Sequence, residues 1–407
     1  MGRIANPFTV GSNPTAAFLL RVATRRSTHA RTPSPPMSTT LAPDDAAIRR
    51  AAEAFRADFA ATRQQIARVI VGQADIIDNT LIALFCGGHT LLEGVPGLGK
   101  TLLIRTLSRA LDLSFSRIQF TPDLMPADIV GTTVLTEFDE ADGRKSRRFT
   151  FQRGPIFAQM VLADEINRAT PKTQSALLEA MAEKSVTVAG VSHALDKPFF
   201  VLATQNPLEQ EGTYPLPEAQ LDRFFFKLLV TAPTRGDLHE VLGRTTTAAN
   251  QTVSPVLNTA RVLEHQALIR QVAITPAIQD YAVRLVLATH PRTASGASAS
   301  TSASLGGGGA SSASSTAPES FSTPMVDRFV KVGASPRAAQ TLVLAAKCRA
   351  LLASRSAVTT EDIKSAATPA LRHRLILTFE AAAENISPDS IIDNLLSTLP
   401  ATVPWTA

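Results

Sequence analysis

A stretch of eight residues has the residue types and the spacing of a phosphate-binding loop, G-x-x-x-x-G-K-[ST]. The stretch consists of Gly94, Val95, Pro96, Gly97, Leu98, Gly99, Lys100 and Thr101. Its glycines let backbone N–H groups turn towards phosphate oxygens, while Lys100 can reach the β and γ phosphates and the Thr101 hydroxyl can ligate Mg²⁺. A strand-like run before the loop and a helical run after it would place the phosphates at a helix N-terminus. The pattern predicts a site for a nucleoside triphosphate and Mg²⁺.

Two adjacent carboxylates are candidates to complete this site. Asp164 ends the apolar, strand-like run Met160–Asp164, and Glu165 follows it directly. A phosphate loop needs a carboxylate for Mg²⁺ and a group that orients the attacking water. We therefore assign Asp164 to the metal, directly or through water, and Glu165 to the water. Adjacent acids also occur by chance after apolar runs, but here they accompany a complete phosphate loop.

Three further polar residues are weaker candidates. Asn206 follows the strand-like run 199–203, where it could contact a γ-phosphate or simply form a turn before the next proline. Arg337 stands near the start of a helix that Ser335 caps, where a cation opposes the helix dipole unless an anion lies nearby. From the residues alone, Arg337 and Arg223 are more simply explained as salt-bridge partners than as phosphate contacts.

The elements that would position these residues alternate between strands and helices. Strand-like runs at 115–120, 160–164 and 199–203 are separated by helical stretches, which is typical of a parallel α/β sheet. After Pro233 the sequence shows helical stretches at 237–245, 258–272, 276–289, 335–353 and 360–368. We therefore expect a nucleotide-binding domain at 45–235 and a helical domain at 236–400.

Two β-hairpins are predicted to interrupt this alternation. The first would join 132–138 to 146–151 through Asp142-Gly143, a favoured pair for a tight turn. The second would turn at Gly190. Both would project from the sheet, and the alternative is that they are edge strands of it.

Composition narrows the class of protein. The chain has 407 residues, a formal net charge of +5 and two cysteines, Cys86 and Cys348, without disulfide or metal spacing. Five arginines and no acids lie in residues 1–43, which leaves 35 basic and 35 acidic residues in the rest of the chain. This neutral remainder argues against a nucleic-acid partner, and no apolar run reaches the length of a membrane span.

Two segments differ from the rest in composition. Residues 1–44 are rich in Arg, Ser and Thr, which is typical either of an organellar transit peptide or of an unstructured extension ahead of a start at Met37. A cytoplasmic and an organellar location both stay open on this basis. Residues 293–323 are almost entirely Ser, Ala, Thr and Gly, so they are predicted to form a surface insertion in the helical domain.

Six segments taken together resemble the MoxR family of AAA+ ATPases. They are residues 69–73, 94–101, 164–169, 203–207, 218–224 and 333–338, in that order. The resemblance covers roughly residues 45–400 and implies a P-loop parallel sheet sandwiched by helices, followed by an all-α lid. Val71 and Gly72 resemble the adenine-side segment of the family, and the two hairpins resemble its helix-2 insert and pre-sensor-1 hairpin.

The resemblance also implies roles for the weaker candidates. It implies Asn206 as sensor 1 and Arg337 as sensor 2, which reports the state of the nucleotide from the lid. It implies Arg223 as an arginine finger offered to the ATP of a neighbouring subunit, with Arg168 as a second candidate for such a contact. The insertion 293–323 falls just before the sensor 2 helix and is not part of the family pattern.

The function implied by the resemblance is Mg²⁺-dependent ATP hydrolysis in a ring, typically a hexamer, that remodels a protein client together with a von Willebrand A-domain protein. One alternative is the motor subunit of a metal chelatase, which porphyrin-dependent activity would identify. A nucleic-acid motor would show ATPase stimulation by DNA that falls steeply with salt. A non-hydrolysing nucleotide-gated scaffold is disfavoured because the residues for hydrolysis are all present.

Overall fold

The computed structural model describes residues 45–95, 97–139, 145–207, 212–246, 252–292 and 321–401. Several predicted features lie outside these residues: the segment 1–44, Pro96 of the phosphate loop, the turn pair Asp142-Gly143 and most of the insertion 293–323. The described residues all fall within one compact unit.

The described part of the chain contains strands and helices in regular succession. Its strands are β1 (Thr90–Glu93), β2 (Phe115–Gln119), β3 (Gly131–Asp139), β4 (Lys145–Arg153), β5 (Met160–Asp164), β6 (Ser185–Val188), β7 (Val191–Ala194), β8 (Phe200–Gln205), β9 (Phe226–Leu229), β10 (Val330–Val332) and β11 (Ile376–Leu377). Its α-helices are α1 (Asp45–Val69), α2 (Ala74–Phe85), α3 (Lys100–Ala110), α4 (Pro126–Val130), α5 (Pro171–Glu183), α6 (Glu218–Leu221), α7 (Arg235–Thr245), α8 (Thr259–Gln271), α9 (Pro276–Leu287), α10 (Pro324–Phe329), α11 (Pro336–Leu352), α12 (Thr360–Leu371), α13 (Phe379–Ala383) and α14 (Pro388–Thr398).

Five strands form a parallel sheet in the order β2-β5-β8-β1-β9. This confirms the predicted parallel α/β fold. Because all five strands run in the same direction, they end at one edge of the sheet and begin at the other. We call the edge where β1, β5 and β8 end the P-loop edge.

The sheet is buried on both faces, as the apolar runs of its strands predict. Met160 and Leu162 of β5 belong to one hydrophobic cluster, which also includes helices of the lid, whereas Val161 and Ala163 belong to a second cluster with α5. Successive strand residues point to opposite faces, so the alternation assigns one cluster to each face. The lid therefore shares a continuous core with one face of the sheet.

The two predicted hairpins are present as antiparallel pairs, β3 with β4 and β6 with β7. Each pair forms a two-stranded sheet of its own, so the alternative that they are edge strands of the central sheet is wrong. Phe151 of β4 stacks on His193 of β7 with ring centroids 4.1 Å apart. The hairpins therefore contact each other.

The lid comprises the described residues from α7 to 401. Its described residues form helices, as predicted, together with a short antiparallel ribbon of β10 and β11 that the sequence did not indicate. These strands are only three and two residues long, too short to show a period of two in the sequence. Among the described residues, no helix is both long and apolar enough to cross a membrane.

Candidate active site

The phosphate loop connects β1 to the N-terminus of α3, as the sequence predicts. Gly97 and Gly99 have φ angles of 86° and 76°, in the left-handed region that favours glycine. Gly94 is required for a different reason, because a Cβ there would lie 2.9 Å from Val230. Among the described residues, no side chain caps α3 at Gly99, so its first N–H groups can donate to phosphate oxygens.

Lys100 and Thr101 form the first turn of α3. The Lys100 Nζ donates a hydrogen bond to the Gly94 carbonyl at 2.6 Å, which folds the ammonium group back onto the loop. The Gly94 N–H in turn donates to the Gln205 carbonyl at 3.2 Å, which joins the loop to the end of β8. Lys100, which is predicted to bind the phosphates, and Thr101, which is predicted to bind Mg²⁺, therefore both lie at the P-loop edge.

The predicted adenine-side segment lies against the same loop. The Gln73 Nε2 donates to the Leu98 carbonyl at 3.3 Å, so the residues directly before it, Val71 and Gly72, are held beside the loop. Gly72 has a φ of 67°, and a Cβ there would lie 2.9 Å from Asp237 of α7. The segment thus lies between the phosphate loop and the first helix of the lid.

Asp164 ends β5, and two side chains hold its carboxylate with three hydrogen bonds, one of them from the Arg117 Nε at 3.1 Å. Its Oδ1 accepts from the Thr204 hydroxyl at 2.6 Å, and its Oδ2 accepts from the Arg117 Nη2 at 2.8 Å. The side chain is 13% exposed. A carboxylate at this edge, together with the Thr101 hydroxyl, is the kind of oxygen donor set that Mg²⁺ prefers, so the residues present fit that ion.

Glu165 follows β5 in a left-handed conformation with a φ of 56°, which is uncommon for a residue with a side chain. Its N–H donates to the Thr204 hydroxyl at 2.9 Å. Its Oε2 accepts from the Gln119 Nε2 at 2.9 Å and from the Arg168 guanidinium at 3.0 Å. The carboxylate is thereby oriented, and Arg168, the second candidate for a contact between subunits, is paired within its own chain.

Asn206 directly follows β8 and is buried. It joins Lys100, Asp164 and Glu165 at the P-loop edge, because β1, β8 and β5 are neighbours and end together. The structure thus brings together four of the predicted site residues.

Three residues around the acids were not predicted from the sequence. Arg117 and Gln119 occupy alternate positions of β2 and so point to the same face, where they reach Asp164 and Glu165. Thr204 lies in β8 and links both acids through one hydroxyl. The alternation in β2 was visible in the sequence, but the pairing of β2 with β5 was not.

Arg223 lies at the opposite edge of the sheet. It belongs to residues 222–225, which lead into β9, and the Phe225 N–H donates to the His89 carbonyl, directly before β1, at 2.7 Å. The four residues of β1, about 13 Å of strand, therefore separate this edge from the phosphate loop. We call residues 222–225 the finger segment, and the edge where β1 and β9 begin the arginine edge.

Arg337 also lies at the arginine edge and not beside the phosphate loop of its own chain. Its guanidinium is 4.0 Å from the carboxylate of Asp222, and it lines the same cavity of about 260 Å³ as Arg223. Within one copy of the chain Arg337 thus lies with the finger segment, and its role as sensor 2 stays a prediction. Sequence order could not show this, because the position of Arg337 depends on how the lid packs.

The cavity at the arginine edge is strongly cationic. The basic side chains among its described lining are Lys184, Arg223, Arg270, Arg337 and Arg374, against the carboxylate of Asp222. Burial lowers the pKa of His89, which also lines the cavity, to about 4, so this imidazole is neutral at pH 7. The arrangement favours a multiply charged anion.

Two family models match the chain. One, described as the ATPase family associated with various cellular activities (AAA), matches residues 89–226, and the other, described as the AAA lid domain, matches residues 324–395. Chaperone MoxR1 of Mycobacterium tuberculosis is 40% identical over 335 residues, which is 82% of this chain and 80% of that protein. The chain belongs to the MoxR family of AAA+ ATPases. The resemblance found in the sequence is thereby confirmed.

Further relatives support the same assignment. Protein MoxR of Methylorubrum extorquens is 31% identical over 383 residues, which is 89% of this chain and 99% of that protein. The structure of a Cytophaga hutchinsonii protein, 39% identical, matches with a TM-score of 0.74 over 87% of this chain and 98% of that one. As a MoxR-type AAA+ protein, the chain is a chaperone-like enzyme that hydrolyses ATP. These relatives are bacterial and lend no support to an organellar location.

Proposed function

We propose that the chain works as a Mg²⁺-dependent ATPase ring, of six subunits as is usual for the family, with each ATP between the P-loop edge of one subunit and the arginine edge of the next. The observation that carries this proposal is the separation of Glu165 and Arg223 at opposite edges of one sheet. A site that needs both residues can form only between two copies of the chain.

At the P-loop edge, the residues bind the triphosphate and orient the water. Lys100 holds the β and γ phosphates, and Glu165 orients the attacking water and accepts its proton. Asn206 contacts the γ-phosphate or that water. Thr101 and Asp164 would hold Mg²⁺, which when bound would supply positive charge beside the phosphates.

The arginine edge of the next subunit supplies the remaining charge. The cationic cavity attracts the phosphates of a neighbouring ATP, and Arg223 stabilises the charge that develops as the γ-phosphate leaves. An arginine supplied in this way is worth about 10³ to 10⁵ in rate. Hydrolysis therefore depends on assembly.

We further propose that the ring remodels a protein client together with a von Willebrand A-domain protein. The family resemblance and the name of the chaperone relative support this assignment. The first hairpin offers a surface for such contact, because Leu135 and Phe149 face each other across β3 and β4 and are 54% and 76% exposed. An exposed apolar pair of this kind suits a polypeptide better than a nucleic acid.

The test is complementation between two inactive variants. Lys100→Ala should lose nucleotide binding but keep its arginine edge, and Arg223→Ala should bind ATP but lose turnover. Mixed rings should regain activity, because an Arg223→Ala subunit can then place its ATP against a normal arginine edge. An Arg223→Ala protein with unchanged turnover, or mixtures that stay inactive although both variants assemble, would rule out the shared site.

A further inference from the structure

Arg374 of the lid makes an unusual set of contacts with the finger segment. Its side chain is only 2% exposed, and its Nε donates to the Asp222 carboxylate at 2.8 Å. Its Nη2 donates to the Phe224 carbonyl at 2.7 Å and to the Asp222 carbonyl at 3.3 Å, and its Nη1 donates to the Phe225 carbonyl at 3.4 Å. One guanidinium therefore holds three backbone carbonyls of a four-residue segment.

The neighbouring His373 strengthens this hold. Its Nε2 lies 3.1 Å from the Phe224 carbonyl and must carry the proton to donate to it. Burial keeps the pKa of His373 well below its usual range, so the ring is neutral at pH 7. Two consecutive lid residues thus fix the backbone on both sides of Arg223.

The same cluster reaches the helix that carries Arg337. The Ser335 hydroxyl donates to the Asp222 carboxylate at 2.8 Å and accepts from the Arg337 backbone N–H at 3.2 Å. Arg374 also donates to the Thr341 hydroxyl of α11 at 3.4 Å. Arg223 and Arg337, which are far apart in the sequence, are therefore attached to one buried ion pair.

The chemistry of this cluster indicates that Arg374 serves to position the finger segment. A buried guanidinium is costly unless its donors are satisfied, and only arginine presents five N–H groups in a fixed plane. Here those donors go to the carboxylate and the backbone of the finger segment, to the Ala370 carbonyl of α12 and to the Thr341 hydroxyl. The ion pair between Asp222 and Arg374 thus fixes the backbone that carries Arg223, while the Arg223 guanidinium itself donates to the Leu178 carbonyl of α5.

We propose that Arg374 is a positioning residue for ATP hydrolysis: it holds the finger segment and the start of α11 as one unit, so that Arg223 and Arg337 meet the neighbouring ATP together. This inference rests on the proposed function, in which the arginine edge acts on the ATP of another subunit. Arg374 itself does not contact that ATP.

The test compares Arg374→Lys with Arg372→Lys in the full chain. Lysine keeps the charge beside Asp222, but the three N–H groups on its single nitrogen cannot bond to the carboxylate and to three carbonyls at once. Arg372 is the matched control, because its two hydrogen bonds, of 3.0 and 2.7 Å, go to Asp389 within the lid. Since a displacement of 1 Å can cost about 10²-fold in rate, we expect kcat of Arg374→Lys to fall about 10- to 100-fold with little change in KM for ATP. Arg372→Lys should keep both values.

A mixing experiment separates positioning from damage to the fold. In an excess of Lys100→Ala subunits, each Arg374→Lys subunit places its intact P-loop edge against a normal arginine edge, so its rate should return towards the wild-type value. A Ser335→Gly variant provides a second probe, because it removes the bond to Asp222 at little cost to the helix cap. It should show a smaller loss of kcat that the same mixing restores.

The outcomes of these experiments distinguish the positioning role of Arg374 from the proposed ATP site between two subunits. If Arg223→Ala is restored by mixing but Arg374→Lys is not, or if Arg374→Lys keeps its kcat, the positioning role is wrong and the shared site stands. If Arg223→Ala is not restored either, the shared site fails and the role of Arg374 fails with it.

Discussion

The two edges of the central sheet hold their functional residues by different means. At the P-loop edge, the phosphate loop, Asp164 and Asn206 each follow directly from the end of a strand, so the sheet itself places them. At the arginine edge, Asp222 accepts a hydrogen bond from Ser335 of the lid, which lies 113 residues later in the sequence. The residues proposed for nucleotide chemistry are thus placed by secondary structure, whereas those proposed to act on a neighbouring subunit are placed by tertiary packing.

The difference has a mechanical consequence. Arg374 links the lid to the finger segment, so a change in the lid can move that segment. In the proposed ring, the lid would therefore alter the rate of hydrolysis at the site shared with a neighbouring subunit. This is the property that a ring with communicating subunits requires.

Glu165→Gln tests the P-loop edge and should have the largest effect on ATP hydrolysis among the variants that follow. The amide cannot accept a proton, so ATP hydrolysis should fall by about 10²- to 10⁴-fold. ATP should still bind and stabilise the ring, because the phosphate loop is intact. Steady-state turnover and equilibrium binding of labelled ATP measure the two properties separately.

The matched control is Glu93→Gln at the same edge. Glu93 ends β1 and pairs with Lys227 at 2.7 Å, so it is an acid beside the loop that is already engaged. It should keep turnover within a few-fold of the wild-type rate. Normal hydrolysis by Glu165→Gln would show that another group orients the water.

Arg337→Ala should have the next largest effect. Loss of one charged donor to the phosphates should lower kcat about 10²-fold. Because Arg337 lies at the arginine edge, an excess of Lys100→Ala subunits should restore the rate, as for Arg223→Ala. Failure to restore Arg337→Ala, with Arg223→Ala restored, would mean that Arg337 swings over to the ATP of its own chain.

The P-loop edge could be predicted from the sequence because its signals are local. The loop contains two glycines with positive φ, and Asp164 with Glu165 closes an apolar strand. Each of these signals occupies a few consecutive residues and is visible without knowledge of the fold. The roles and ligands themselves are not tested by the structure and stay predictions.

The arginine edge could not be predicted in the same way. The roles of Arg223 and Arg337 were predicted only through the family resemblance. Their place opposite the phosphate loop depends on the register of β9 with β1 and on the docking of α11. Arg374 gives no local signal, since it follows α12 in a turn whose contacts lie about 150 residues earlier. Arg374 is important because of its buried contacts with residues far away in the sequence, which the sequence alone does not show.

Thr204→Val should have the smallest effect and tests how the sheet holds the two acids. The hydroxyl donates to Asp164 and accepts from the Glu165 N–H, so its loss leaves both groups without that partner. We expect the free energy of unfolding to fall by about 1 to 3 kcal/mol and kcat to fall about tenfold, because the acids lose their common anchor. Thermal unfolding and turnover measure the two changes.

Thr80→Val on α2 is the control of the same size and shape. Thr80 is 1% exposed, and its hydroxyl has no hydrogen-bond partner among the described residues. Its removal should leave turnover and stability unchanged or raise stability slightly, because no bond is lost when the hydroxyl goes. Equal losses of turnover and stability in the two variants would mean that any buried threonine to valine change disturbs the core. The hydrogen bonds from Thr204 to the acids would then have no special part in holding the P-loop edge.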